Sequence, residues 1–315
     1  MLPLVSVAQF APPAGQAGTT AMSKDSSVFI NWAKACHVTR GLEDMSNASS
    51  GYPTIGDSSK AIGMADNSVV SLGDGGYTIC TFQHPLADGA GPDLAVFENS
   101  FSDDYLEFGF VEVSSDGVNF FRFPATSNIE DTVQTGSFGT CDARLVNNLA
   151  GKYRALYGTP FDLQELAGTA GLDINNVTHV KIVDVVGSIS ATYATYDKNG
   201  HKVNDPWPTA FASSGFDLDA IGVIHDITNS IEEKDLSGFT LYPNPASNNS
   251  CVSIKSGEVI LGVSLVNFQG QIVKTVNENY ALGAKLNCAN LAPGIYFVQV
   301  QLSNALLTRK LVITE

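Results

Sequence analysis

The sequence predicts an all-β protein: an antiparallel β-sandwich or jelly roll with one or two short helices, followed by a smaller β-sandwich. Three observations support this fold class. Apolar residues alternate with polar ones, or cluster in short runs, over most of the 315 residues. Gly, Pro, Asp and Asn interrupt these runs at near-regular spacing. Many short strands spaced in this way are typical of sandwiches and jelly rolls.

The strand signals before residue 228 are β-rich runs bounded by turn residues. In chain order they are SVVSLGD (68–74), GYTICTFQHPL (76–86), DLAVFENSF (93–101), LEFGFVEVSSDGVNFFRFP (106–124), VTHVKIVDVVGSI (177–189) and FDLDAIGVIHDI (216–227). In the fourth run, Asp116 and Gly117 lie between alternating apolar positions. This pair predicts a β-hairpin with a type I′ turn.

Two segments show helical spacing. In KDSSVFINWAKACHVTRG (24–41), Asp25 and Ser26 are candidate N-caps, and Arg40 with Gly41 is typical of a helix end. Between them, Val28, Phe29, Trp32 and Cys36 fall on one helical face, so we predict a helix here. FDLQELAG (161–168) predicts a second, shorter one.

Composition divides the chain into a large and a small domain. The polar, aperiodic segment TNSIEEKDLSG predicts a linker over 228–238 between a domain at 10–227 and a small all-β domain at 239–315. In the small domain, Gln269 and Gly270 predict a hairpin turn. The apolar opening predicts a signal-peptide remnant over 1–9, although it lacks a basic n-region, and an ordinary strand is the alternative. No other window is apolar enough to cross a bilayer.

Charge and cysteine content exclude several classes of function. The net charge is −15, and residues from Gly238 onward carry five basic and three acidic side chains, so the excess of acidic residues lies before Gly238. An acidic first domain argues against nucleic-acid binding, which needs a basic face. The five cysteines form no CxxC pair, which excludes zinc-ribbon and thioredoxin sites. A Cys251–Cys288 disulfide and isolated thiols are both compatible with the sequence.

Asp217 and Asp219 alternate at the head of an apparently buried strand. Strict alternation puts both on the face of Ile221 and Val223, and puts Leu218 on the other face. Because two carboxylates at the edge of a core repel each other, a cation should lie between them. We therefore predict a structural calcium site, with further oxygen ligands among Asp74, Asp93, Glu98, Asp197 and Asp205. The alternative is that these carboxylates cap their own turns.

The C-terminal domain resembles a known sorting signal. Four segments carry the resemblance: FTLYPNPASNN (239–249), LVNFQGQIV (265–273), LAPGIYFVQV (291–300) and RKLVI (309–313). Their order and spacing resemble the C-terminal sorting domain of Bacteroidetes proteins exported by the type IX secretion system. The resemblance implies a small immunoglobulin-like sandwich, the type IX machinery as a partner, and a secreted or outer-surface location. A plain immunoglobulin-like accessory domain is the alternative.

The first domain resembles a family of secreted bacterial cell-surface proteins for which no activity is established. The segments that carry this resemblance are VVSLGDGG, DLAVFENSF, FVEVSSDGVNFFRFP, VTHVKIVDVVGSI and GFDLDAIGVI. The shorter segments SSDGVNF and DLDAIGV also resemble discoidin and carbohydrate-binding jelly rolls. In those jelly rolls a comparable last strand often borders a structural calcium, so this resemblance implies the same for Asp217 and Asp219.

The long loop 188–211 is rich in aromatic residues. It contains Tyr193, Tyr196, Trp207 and Phe211. Rigid aromatic rings beside calcium-held loops suit stacking on sugar rings, so we predict glycan binding there. The alternative is that Trp207 covers one end of the sandwich. A structural or adhesive surface protein, whose partner is another surface protein, is a further possibility.

The sequence offers little support for catalysis. It contains neither HExxH nor GxSxG. Glu98 with Asp93, or Glu107 with Glu112, could form a glycosidase pair, but such spacings are routine in acidic strands. We therefore expect a non-catalytic binding module, with a glycoside-active enzyme as the alternative.

Overall fold

The computed structural model describes residues 10–228, 239–267, 269–276, 282–303 and 306–314. The chain divides into two compact units, Met1–Ser230 and Ile231–Glu315. The predicted signal-peptide remnant and residues 229–238 of the predicted linker lie outside the described residues. Within the described ranges the helices are short 3₁₀ turns, and none has the length and hydropathy of a membrane span.

The first unit is a sandwich of two main antiparallel sheets, as the sequence predicted. Its strands are β1 (Met22–Ser23), β2 (Asn31–Trp32), β3 (Ala35–Thr39), β4 (Val70–Ser71), β5 (Tyr77–Leu86), β6 (Leu94–Glu98), β7 (Gly109–Ser114), β8 (Phe121–Arg122), β9 (Thr126–Ser127), β10 (Val146–Asn147), β11 (Tyr157–Phe161), β12 (Val177–Asp184) and β13 (Asp217–Val223). One sheet has the order β1-β11-β6-β13-β2, with β4 paired to β13, and the other has the order β3-β5-β12-β7-β8. Strands β9 and β10 form a separate pair.

The core of the first unit lies between these two sheets. It joins Val96 and Ile221 of the first sheet to Val111 and Val180 of the second. The central strands β6 and β13 are buried along their whole length. A smaller apolar cluster that contains Ala95, Phe97 and Ala220 covers their other face. Burial on both faces explains the nearly continuous apolar sequence of these strands.

The second unit is a smaller sandwich with a separate core. Its strands are β14 (Phe239–Tyr242), β15 (Ala246–Ser247), β16 (Cys251–Ser256), β17 (Gly262–Asn267), β18 (Ile272–Val276), β19 (Gly283–Asn287), β20 (Gly294–Gln301) and β21 (Leu306–Thr314). They form sheets of order β14-β16-β19 and β15-β21-β20-β17-β18. The predicted hairpin at Gln269 and Gly270 is confirmed, because β17 pairs antiparallel with β18 and Gly270 has a φ of 82°.

The helix predicted over 24–41 is wrong. This segment contains β2 and β3, and β3 pairs residue by residue with β5 from Ala35↔Thr81 to Thr39↔Tyr77. The β-branched and alternating residues of this segment are stabilised more by strand pairing than they would be by the helix that their spacing suggested. The second predicted helix is only a 3₁₀ turn, Leu163–Leu166, capped by the Asp162 side chain.

The hairpin predicted around Asp116 and Gly117 exists, but its turn is longer than the predicted type I′ turn. Strands β7 and β8 pair through Glu112↔Arg122 and Val113↔Phe121. Between them, Asp116 Oδ1 accepts hydrogen bonds from the backbone N–H groups of Val118 and Asn119, each at 2.8 Å. The side chain therefore organises an Asx-type loop in place of a two-residue turn.

A disulfide joins two directly opposed strands. Cys36 and Cys80 are register partners on β3 and β5 and are bonded to each other. Cys251 and Cys288, which the sequence left as a possible pair, are both free thiols, as is Cys141. Cys251 is exposed, whereas Cys141 and Cys288 are buried.

This cysteine arrangement predicts a simple alkylation pattern. Iodoacetamide applied to the native, unreduced protein should label Cys251, and labelling of Cys141 and Cys288 should require denaturation, because burial keeps both thiols from the reagent. Peptide mass mapping measures the pattern. Native labelling of Cys36 or Cys80 would contradict the disulfide.

Candidate functional site

Three carboxylates meet at one end of the first sandwich. Glu98 ends β6, Asp217 begins β13, and Glu107 lies just before β7. The antiparallel register places Leu218 opposite Glu98 and Asp217 opposite Ser71 of β4. One ligand atom from each of the three carboxylates lies within 4.8 Å of the other two.

A β-bulge decides where Asp217 and Asp219 lie. The register between β13 and β6 shifts between Leu218 and Ala220. As a result Leu218 packs in the same core cluster as Ile221 and Val223, and Ala220 packs on the opposite face. The predicted strict alternation is therefore wrong, because the extra residue of a bulge reverses the faces along a strand.

The two aspartates have different partners as a consequence. Asp219 accepts hydrogen bonds from the backbone N–H groups of Asp66 (3.1 Å) and Asn67 (3.0 Å), so it caps that turn. Asp217 accepts hydrogen bonds from the Ser71 hydroxyl and from the Asn99 side chain. Only Asp217 belongs to the three-carboxylate group.

The three carboxylates differ in their hydrogen-bond partners. Glu98 Oε2 accepts a hydrogen bond from the Ser100 backbone N–H at 2.8 Å. For Glu107, no described residue donates a hydrogen bond to the carboxylate. Glu98 and Asp217 are almost fully buried, whereas Glu107 is only partly buried. Glu107 is thus the member with the most acceptor capacity left for a ligand.

These carboxylates lie in a cleft that also has aromatic walls. The cleft has a volume of about 530 Å³. Its aromatic lining consists of Phe101, Tyr105, Phe138 and Phe211. A cleft of this size that combines apolar walls with convergent polar groups is the usual form of a small-ligand site.

Burial raises the pKa of every member of the group. Desolvation raises the pKa of Asp217 to about 7, against the opposing effect of the Ser71 and Asn99 hydrogen bonds. Desolvation and the neighbouring charge of Asp217 raise the pKa of Glu98 well above its ordinary value. For Glu107, desolvation and the charges of Glu98 and Asp217 raise the pKa in the same way. Such a group either shares protons or binds a cation.

The other predicted calcium ligands act mainly as acceptors for loop backbones. Asp197 accepts hydrogen bonds from the N–H groups of Ser127, Asn199 and His201, and Asp205 accepts one from Phe108 at 2.8 Å. Asp74 accepts from the Met45 N–H at 2.8 Å and from Trp207 Nε1 at 3.0 Å. This is the turn-capping role that the sequence left open. Of the seven predicted ligands, the structure brings only Glu98 and Asp217 into one group.

Asp93 lies in a second acidic group, together with Asp88 and Asp162. Its two oxygens accept hydrogen bonds from the N–H groups of Gly89 (2.8 Å) and Leu163 (2.7 Å), and one of them also contacts His225 Nδ1 at 2.7 Å. These contacts already occupy the carboxylate, so Asp93 joins three loop segments.

The predicted aromatic ligand-binding residues separate into two places. Trp207 packs near Tyr193 with ring centroids 6.2 Å apart, and Tyr196 is exposed nearby in sequence. Phe211 lines the acidic cleft instead, stacked on Phe138. Sequence reasoning missed Phe101, Tyr105 and Phe138, and it considered Glu107 only as a catalytic carboxylate. The one local signal for these aromatic residues was that Phe101 lies three residues after Glu98.

The comparisons with known proteins bear mainly on the second unit. Residues 240–314 match the family model described as a secretion system C-terminal sorting domain. No curated protein matches the chain. The match identifies the second unit as a type IX sorting signal, and the protein is therefore secreted or attached to the outer cell surface.

Two solved structures show only distant similarity. One is a biofilm-associated protein, BSP domain, at 12% identity and a TM-score of 0.19, with 90% of this chain and 52% of that chain covered. The other is a Bacteroides fragilis protein described as a candidate β-galactosidase, at 12% identity and a TM-score of 0.19, with 93% and 40% covered. The chain thus spans about half or less of the length of these structures, and similarity at this level carries no argument.

The raised pKa values predict an unusual pH dependence of stability in EDTA. A carboxyl whose pKa is higher in the folded state binds more protons there, so stability falls as pH rises from its unfolded to its folded pKa. For Asp217 this window runs from 3.8 to about 7. Each such group contributes a slope of up to about 1.4 kcal/mol per pH unit. Urea denaturation between these pH values should show stability falling with pH, and Asp217→Asn should reduce the slope. A wild-type slope of the opposite sign would contradict the raised pKa values.

The sorting assignment predicts the effect of a deletion. Removing residues 239–315 should abolish delivery to the medium or the outer surface in the native host, while the first unit keeps its own core and stays folded. Immunoblots of cell fractions and of the medium measure delivery, and circular dichroism of the purified fragment measures folding. Normal export of the truncated chain would contradict the assignment.

Proposed function

We propose that the first unit is a non-catalytic, calcium-stabilised binding module of the bacterial outer surface, delivered by the type IX machinery of a member of the Bacteroidetes. The observation that carries this proposal is the convergence of Glu98, Glu107 and Asp217 within 4.8 Å at the base of an open cleft. The same cleft binds the ligand. The sorting domain accounts for the location, and the cleft accounts for the activity.

Electrostatics favours a cation in this group. Three carboxylates this close repel one another, and burial removes most of the water that would screen them. The positively charged group that acts on Asp217 is Arg40. Its guanidinium donates hydrogen bonds to the carbonyl groups of Pro53, Ile55 and Gly56 and is therefore already engaged. A bound divalent cation would offset the repulsion.

Calcium fits the donor set better than a transition metal. All three donors are carboxylates, and hard oxygen ligands select calcium or magnesium over zinc or copper. Calcium binds roughly six to eight oxygens in variable geometry. Three carboxylates leave coordination positions open toward the cleft, so the ion can contact a ligand directly.

The most informative variant is Glu107→Gln. Because no described residue donates a hydrogen bond to the Glu107 carboxylate, the substitution removes an ionisable group without breaking a hydrogen bond of the described structure. In EDTA at neutral pH the variant should melt no lower than the wild type, since repulsion is relieved. In calcium it should bind the ion about tenfold or more weakly, because one of three anionic ligands is lost.

The measurements are thermal melts in EDTA and in calcium, with terbium luminescence competed by calcium to obtain affinity. Wild-type stability should rise by about 3 kcal/mol when calcium is present at about a hundred times its dissociation constant. Glu258→Gln, which changes an exposed glutamate of the second unit, is the matched control and should respond like the wild type. A wild-type protein that neither binds terbium nor gains stability from calcium would refute the proposal.

A second candidate function is glycoside hydrolysis by the same carboxylates. The observation that favours it is the combination of close carboxyl groups with raised pKa values. Retaining glycosidases use a pair of carboxyl groups about 5 Å apart, and one member of the pair is protonated. Release of reducing sugar that persists in EDTA and disappears in Asp217→Asn would favour the enzyme over the binding module. A third reading, a structural or adhesive protein without a small ligand, predicts neither calcium binding nor hydrolysis.

A further inference from the structure

Two aromatic pairs stand at the mouth of the acidic cleft. Phe101 stacks on Tyr105 with ring centroids 4.7 Å apart and an interplanar angle of 23°. Phe138 stacks on Phe211 at 5.4 Å and 28°. All four rings line the same cavity as Glu98, Glu107 and Asp217. The cleft therefore has an anionic base and an aromatic rim.

Hydrogen bonds connect the two pairs and fix their positions. The Tyr105 hydroxyl donates to the carbonyl of Ser137, the residue before Phe138, at 3.2 Å. The Ser137 hydroxyl donates to the Pro208 carbonyl at 2.6 Å, which connects this loop to the segment that carries Phe211. Because the backbone holds both pairs, the rings form prearranged platforms and would lose little entropy when a ligand binds.

The outer ring of each pair is almost fully exposed. Phe101 retains 78% and Phe138 retains 77% of its accessible surface. Each contacts its own inner ring, so the second face of each outer ring is open to a ligand. Exposed apolar rings next to a concave polar site are typical of ligand-binding surfaces.

The carboxylates at the base of the cleft limit which kinds of partner can bind across its aromatic rim. An apolar protein surface laid across the cleft would remove the remaining water from the carboxylates and pay their full desolvation cost. A ligand with many hydroxyl groups avoids this cost, because its oxygens can complete the coordination of a bound calcium ion. Its C–H faces can stack on the phenylalanine rings at the same time. Saccharides combine both properties.

We propose that the cleft binds an oligosaccharide, with hydroxyl groups of one sugar coordinated to calcium and neighbouring sugar faces stacked on the Phe101 and Phe138 platforms. This inference rests on the proposed calcium site and adds the class of ligand. Two stacked platforms favour a chain of linked sugars over a single one, since a second sugar gains a second stacking contact. Phe101 and Phe138 are then the residues that determine specificity for chain length.

The test uses the full-length protein and three variants. The probe is an array of immobilised neutral and acidic monosaccharides and oligosaccharides, applied with calcium and with EDTA. Isothermal titration with any oligosaccharide that binds then gives affinities. The double variant Phe101→Ala/Phe138→Ala should bind that oligosaccharide about tenfold or more weakly, since both stacking surfaces are lost. Its terbium and calcium affinities should equal those of the wild type.

Two control variants distinguish the possible outcomes of this test. Tyr242→Ala removes an aromatic side chain of the second unit that is 77% exposed, and it should leave binding unchanged. Glu107→Gln should weaken calcium and oligosaccharide binding together.

Each result has a definite meaning. Calcium binding without any oligosaccharide binding overturns this inference and leaves the calcium site standing. Oligosaccharide binding that survives EDTA, or that is unchanged in the double variant, overturns it as well. Absence of calcium binding removes the proposed function itself. Shortened products recovered after incubation assign the cleft to hydrolysis instead.

Discussion

The fold of the first unit depends on buried carboxylates that are paired with backbone N–H groups. A carboxylate buried without a partner costs several kcal/mol, so each buried acid in a stable fold finds hydrogen-bond donors, binds a cation or takes up a proton. Asp184 shows how the chain meets this requirement: its two oxygens accept hydrogen bonds from the N–H groups of Gly75 and Phe216. Asp93, Asp197 and Asp219 follow the same pattern at other loops. These contacts fix long irregular segments against the sheets, and no regular secondary structure is needed to hold them.

This pattern is incomplete in the cleft. Glu98 and Asp217 have donors, yet both belong to a group of three carboxylates, and Glu107 has none among the described residues. The chain therefore leaves concentrated negative charge at an accessible position, beside rings that are stacked in pairs and exposed on one face. Unsatisfied charge next to an open apolar surface is what distinguishes a binding site from a structural cap. This contrast is why the cleft, and not the other acidic loops, is the candidate site.

Some elements of the fold could be predicted from the sequence, and others could not. Period-two patterning in β5 and β12 and the turn residues Gly117 and Gly270 identify strands and hairpins, because local sterics and side-chain alternation act over a few residues. The segment 24–41 was wrongly predicted as a helix, since the helical spacing of Phe29, Trp32 and Cys36 also fits short strands that pair with distant partners. The pairing of Cys36 with Cys80 depends on that same register and could not be read from spacing.

The sequence by itself determined that this is an all-β chain, that the excess of acidic residues lies before Gly238, and that residues 240–314 match a sorting domain, because composition, periodicity and motif order are properties of the linear chain. Only the tertiary structure decided which carboxylates meet. Asp217 and Asp219 are two residues apart, yet a single bulge sends one to a turn and the other to Glu98 and Glu107. Convergence of residues from three strand ends is fixed by sheet register and loop geometry, and these arise from long-range packing that no local pattern encodes.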